Sequence, residues 1–171
     1  RIICDSECTR RDFLRFFPEA EERTRVIYLG VDDQLYPRPP EEVERVRRKY
    51  GIGRDYIFYV GALSIRKNVL RMFEAFRRTM RQDGGDLQFV AAGRLTYGKE
   101  RIRDDPKESD AEDRILLPGY VPDEDLPALY SGARAFLFVT QYEGFGLPII
   151  EAAACGVPVV TSNVSSSAEI G

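Results

Sequence analysis

Short apolar runs recur along the chain at residues 1–4, 25–28, 56–60, 87–92, 115–117, 133–139 and 157–161. Each is short enough to be a strand, and the nearly all-apolar run 56–60 has the character of a strand buried on both faces. Between the runs, apolar residues recur at helical spacing. Ser6 stands as the N-cap of a helix reaching about Phe17, with Phe13, Leu14 and Phe17 on its apolar side, and Pro18 ends it. Residues 41–50 carry Val43, Val46 and Tyr50 on one side before Gly51-Ile-Gly53 stops them. After Asn68, a longer helix turns Val69, Leu70, Met72, Phe73, Phe76 and Met80 toward the core. A short helix spans 123–130 with Pro127 early in it. A last one opens with Pro148 at its first position and closes just before Gly156, the usual asymmetry of helix ends. Residues 29–40 are proline-rich and extended, 83–86 form a turn, and the charged stretch 97–113, lacking an apolar stripe, reads as a surface loop or exposed helix.

From Tyr56 onward the order is β-α-β-α-β-α-β-α-β, which predicts an α/β fold with a doubly wound parallel sheet. The common strand order 3-2-1-4-5 sets strand 56–60 beside strand 134–139, and open sheets of this kind bind ligands where the strand order reverses. The pattern becomes regular only after the first segment. Residues 1–27 therefore read as the tail of an N-terminal domain or a linker, and 28–171 as the main domain.

Two strand-end loops flank that reversal point. The second, 140–147, holds Glu143, Gly144 and Gly146, and leads into a helix that carries Glu151 about one turn in. Glycines let the backbone approach a ligand closely, helix N-terminal N–H groups point out of the same corner, and carboxylates accept hydrogen bonds from vicinal hydroxyls. The first loop, 61–68, holds Arg66 and Lys67 at a helix N-terminus, which suits a diphosphate. Taken singly, each feature has a plainer reading: an acid near the positive end of a helix, loop punctuation, two solvated cations.

Composition narrows the field. Among 171 residues, 43% are apolar, and 25 basic against 28 acidic residues give a net charge of −3, so neither nucleic acid nor an anionic membrane surface is an expected partner. There is no histidine, and Cys4, Cys8 and Cys155 form no CxxC pair. A disulfide framework, a structural zinc site and Ser-His or Cys-His catalysis are disfavoured, and a reducing cytoplasmic setting is expected. No GxGxxG follows Val60 and no GxxxxGK[ST] occurs, which argues against dehydrogenase and P-loop chemistry. The first residue is not Met, so the chain reads as an excerpt.

Glu143-Gly-Phe-Gly-Leu-Pro-Ile-Ile-Glu151 resembles the E-x7-E motif of retaining glycosyltransferases of the GT-B fold, in the large family called group 1. Gly30-Val31-Asp32 is similar to that family's entry into its C-terminal domain, residues 61–68 to its phosphate loop, and 126–133 to the helix before the motif strand. The resemblance implies a Rossmann-like C-terminal half, lacking its last helices, with a nucleotide-diphosphate sugar as donor and no bound cofactor or metal. It also implies residue roles: Lys67 and Arg66 on the diphosphate, Glu143 at the transferred sugar, and Glu151 on the ribose. Gly61, Gly144, Phe145, Gly146, Leu147 and Pro148 would complete the donor cradle. Many relatives carry Arg directly after the phosphate-loop glycine, where this chain has Ala62, so the diphosphate leans on Arg66 and Lys67. The implied partner is an N-terminal domain of the same enzyme, which would bring the acceptor, and peripheral membrane association of the parent stays open. Alternatives are a GT-B-type epimerase or phosphorylase, or a non-catalytic binding module. By itself, this piece is expected to bind donor without transferring it.

Overall fold

The computed structural model describes residues 1–83, 85–96 and 114–171, so the charged stretch 97–113 and part of the 83–86 turn lie outside the described residues. The first unit is small. Strand β1 (Ile2–Cys4) pairs in parallel with β2 (Thr24–Val26), in a two-stranded sheet separate from the main one. Helix α1 (Glu7–Phe16) joins them, and the Ser6 side chain accepts the Thr9 N–H at 3.0 Å, as its N-cap position requires. A 3₁₀ turn over Pro18–Arg23 follows. The expected strand at 25–28 sits earlier, because pairing with β1 ends at Val26 and leaves Ile27 and Tyr28 exposed.

Helix α2 (Pro40–Lys49) carries Glu41 and Glu42 in its first turn and Arg47, Arg48 and Lys49 in its last, matching the helix dipole at both ends. It buries Val46, and Gly51, at φ +69°, releases the chain from it. The main sheet follows: β3 (Asp55–Val60), α3 (Val69–Asp83), β4 (Leu87–Ala92), β5 (Ile115–Gly119), α4 (Leu126–Ser131), β6 (Ala135–Phe138), α5 (Leu147–Ala154), β7 (Val159–Thr161) and α6 (Ser167–Ile170). All five strands are parallel, in the order β5-β4-β3-β6-β7. That is the order expected from the chain's alternation, with β3 next to β6.

Side chains alternate across the sheet, so both faces need cover. On one face Phe73 and Phe76 of α3 set their rings edge-on to Phe89, at 5.5 and 5.6 Å between centroids. On the other, Tyr130 of α4 packs on Phe58 and Phe136 at 5.2 and 5.1 Å. These edge-to-face contacts suit the ring quadrupoles, and all three sheet aromatics are fully buried.

A buried carboxylate ties α2 to α4. Asp125, 1% exposed, accepts from Lys49 Nζ at 2.5 Å and Tyr50 OH at 2.7 Å, with an Arg45 nitrogen 3.8 Å away. Burial works against its charged form, but the hydrogen bonds from Lys49 and Tyr50 outweigh that and hold the carboxyl below the usual aspartate range. Its folded pKa is depressed, so the stability it gives is present above the unfolded value and lost on acidification through the folded one. Asp125→Asn is expected to lower stability at pH 7 by about 2 kcal/mol and to flatten the acid limb below about pH 4. Urea unfolding at several pH values checks both.

Candidate functional site

The loops after β3 and β6 lie side by side because their strands do, and specific bonds fasten them. The Gln141 N–H donates to the Arg66 carbonyl at 3.2 Å, and the Asn68 side chain donates to the Val139 carbonyl at 2.9 Å. Asn68 takes a left-handed backbone, φ +62°, a conformation Asn tolerates better than most residues, and its carbonyl accepts from Met72 early in α3. Close approach also governs the glycines. A Cβ on Gly93 would lie 1.9 Å from the Gly61 carbonyl oxygen, so the turn after β4 passes the turn after β3 only as glycine.

At this junction Lys67 Nζ sits 2.6 Å from Glu143 Oε1, both side chains largely buried. The ammonium also lies 5.4 Å from the centre of the Phe138 ring. Arg66 is more exposed. Its guanidinium donates to the Tyr142 carbonyl at 2.9 Å and stands 3.7 Å from the same Glu143 oxygen. The two cations and the loop acid thus meet at the junction of the two strand-end loops, where the strand order places them.

Glu151 belongs to a different part of the site. From inside α5 it accepts from the Tyr130 hydroxyl at 2.9 Å. Burial raises its pKa above the ordinary range, although the Tyr130 hydrogen bond pulls the other way. Tyr130 itself is held well above its ordinary value by burial, so its hydroxyl keeps its proton. Glu151 lines a hollow of about 520 Å³ together with Asp32, Leu35, Arg38, Asp123 and Leu126, and neither Lys67 nor Glu143 lines it.

The glycine turn has a mixed character. Gly146 adopts φ +100°, which favours glycine, and its carbonyl accepts from Ile149 at the start of α5. Leu147 opens the helix, so Pro148 stands second rather than first, where its missing N–H still costs nothing. Phe145 is buried, 6.3 Å from the Tyr28 ring, and offers a ligand only its backbone.

Several residues that hold the loop carried no signal in the linear chain. The Glu143 N–H donates to Ser165 Oγ at 3.0 Å, and Ser166 Oγ donates to the Glu143 carbonyl at 3.0 Å. Ser6 and Thr9, in the first unit, both donate to the Gly144 carbonyl, at 2.5 and 3.0 Å. Glu169 accepts the N–H groups of Glu7 and Cys8, which fixes α6 against the start of α1. Serines are common in turns, and only their distant partners mark these as supports.

A family-wide sequence profile described as "Glycosyl transferases group 1" matches residues 42–170. An O-antigen chain mannosyltransferase B of Escherichia coli is 35% identical over 170 residues, covering 99% of this chain and 45% of its own length. A mannosylfructose-phosphate synthase of Agrobacterium fabrum is 29% identical over 148 residues, covering 80% of this chain and 32% of its own. Among solved structures, Anabaena HepE in complex with UDP and glucose superposes with a TM-score of 0.84 at 24% identity, over 98% of this chain and 45% of that one. A glycosyltransferase from Rickettsia africae gives 0.86 at 20% identity, over 99% and 46%. The chain spans less than half the length of each of these proteins, and its sheet is the Rossmann-like half of the GT-B fold. The profile over most of its length and the relative at 35% identity make this chain a member of the group 1 glycosyltransferases.

Proposed function

We propose that this chain is the donor-binding half of a retaining glycosyltransferase that takes a sugar from a nucleotide-diphosphate sugar. The observation that carries the reading is the Lys67–Glu143 contact at the point where the strand order reverses. An ammonium beside a carboxylate on adjoining strand-end loops suits a ligand with phosphate at one end and hydroxyls at the other. Lys67, helped by Arg66, takes the diphosphate and stabilises the charge that develops on it as the bond to the sugar breaks. Glu143 accepts from sugar hydroxyls beside the electron-poor anomeric carbon, and Glu151 accepts from the ribose. N–H groups of the 144–147 turn orient the sugar. HepE, crystallised with UDP and glucose, shares the fold and supports this choice of ligand class.

In this reading residues 1–27 are the tail of an N-terminal domain, 28–171 bind the nucleotide sugar, and the acceptor is met on the other half of the parent enzyme. A cytoplasmic setting suits three buried, unpaired cysteines, and no helix among the described residues is long and apolar enough to cross a membrane. Titration calorimetry with UDP- and GDP-hexoses tests the reading. Binding is expected, and Glu151→Ala is expected to weaken it at least about tenfold through the lost charged hydrogen bond. A folded chain that binds neither donor would contradict the proposal.

A further inference from the structure

Resting on that donor reading, we infer that Ser6, Thr9 and Ser166 are positioning residues: they fix the two peptide groups around Gly144 so that the N–H groups of Gly144 and Phe145 face the sugar of the donor. In a trans peptide, the carbonyl and the N–H of one unit point in opposite directions, and the described chain has no cis bond. Holding a carbonyl therefore aims the N–H that follows it. Ser166 Oγ donates to the Glu143 carbonyl at 3.0 Å, which sets the Gly144 N–H on the opposite side. Ser6 Oγ and Thr9 Oγ1 donate to the Gly144 carbonyl at 2.5 and 3.0 Å, which does the same for the Phe145 N–H. Among the described residues, neither N–H has an acceptor.

The supports are rigid. Ser6 and Ser166 are fully buried, so neither hydroxyl can turn to water instead. The Ser6 oxygen accepts the Thr9 N–H and lies 3.1 Å from Thr9 Oγ1, but the Gly144 carbonyl, at 2.5 Å, is the shorter partner for its proton. Thr9 lies one turn into α1, on the same side as Ser6. Two donors on one carbonyl exceed what simple loop closure needs. The arrangement directs the unpaired Phe145 N–H away from α1 and the unpaired Gly144 N–H away from Ser166, and a ligand oxygen is their natural acceptor.

The test compares two ligand types on the full chain, because the sugar contacts these N–H groups and the nucleotide does not. Calorimetry with a UDP-hexose and a GDP-hexose is set against UDP and GDP alone, with the melting temperature followed in parallel. The Ser6→Ala/Thr9→Val pair is expected to lose about tenfold in affinity for the nucleotide sugar it binds, with the free diphosphate changed less than about twofold. Thr9→Val alone, which keeps shape and removes only the hydroxyl, is expected to lose about threefold with the same selectivity, and Thr9→Ser to restore wild-type values. If the pair does not fold, the single variant decides. Equal losses for sugar and free diphosphate, or no loss for either, would overturn the inference while leaving the donor reading intact. Failure of the wild-type chain to bind any nucleotide sugar would remove both.

Discussion

Lys67→Ala is expected to reduce sugar transfer by the parent enzyme by about 10²–10³-fold and to weaken nucleoside diphosphate binding by this chain. The ammonium is the better buried of the two loop cations. It is held between Glu143 and the face of Phe138, so its position is fixed before a ligand arrives. Once Glu143 turns to the sugar, an ammonium already near its working position needs little further reorganisation as the leaving diphosphate gains electrons. Arg66 cannot take over, because its guanidinium is committed to the Tyr142 carbonyl and is largely exposed. Arg66→Ala is accordingly the smaller lesion. Lys67→Arg is not a silent change either, since a planar fork does not fit a site built for a point charge. Steady-state kinetics on the parent enzyme, with calorimetry on this chain, separate the two effects. Unchanged diphosphate affinity in Lys67→Ala would speak against the assigned role.

Glu143→Gln is expected to move binding and transfer in opposite directions. The carboxylate holds the Lys67 ammonium, so the amide frees that cation for phosphate, and UDP or GDP should bind at least as tightly as to the wild type. Transfer by the parent enzyme should nevertheless fall by about 10²–10³-fold, because the charge proposed to face the anomeric carbon is gone. Ser165 and Ser166 hold the loop through the Glu143 backbone, which this change leaves alone. Diphosphate binding lost together with transfer would mean that Glu143 supports the loop rather than the chemistry.

The parts of the structure legible in the chain were those written at short range. Consecutive apolar runs marked the strands, and Gly and Pro marked where helices begin and end. The β-α alternation then restricted the sheet to an order that sets the 61–68 loop beside 140–147. From there the meeting of Lys67 with Glu143 followed. The supports were not legible, because a hydroxyl carries no mark of its partner. Ser6 is 138 positions from Gly144, and Glu169 is 162 from Glu7. The ring of Phe145 packs near Tyr28, so of the cradle that the resemblance implies this residue can supply only its backbone. The chain's pattern sets Glu151 opposite Lys67, whereas in the structure it borders a hollow that Lys67 does not line and accepts from the Tyr130 hydroxyl. Helix periodicity tells which face is buried, not which buried hydroxyl meets which acid.

A crystal structure of this chain with an intact nucleotide sugar would test the central claim most directly. The distance to read is that from Lys67 Nζ to the nearest diphosphate oxygen. It should be about 3 Å, with Glu143 turned from the ammonium to a sugar hydroxyl and Glu151 reached by the ribose. A donor bound elsewhere, with the Lys67–Glu143 pair intact beneath solvent, would contradict the account.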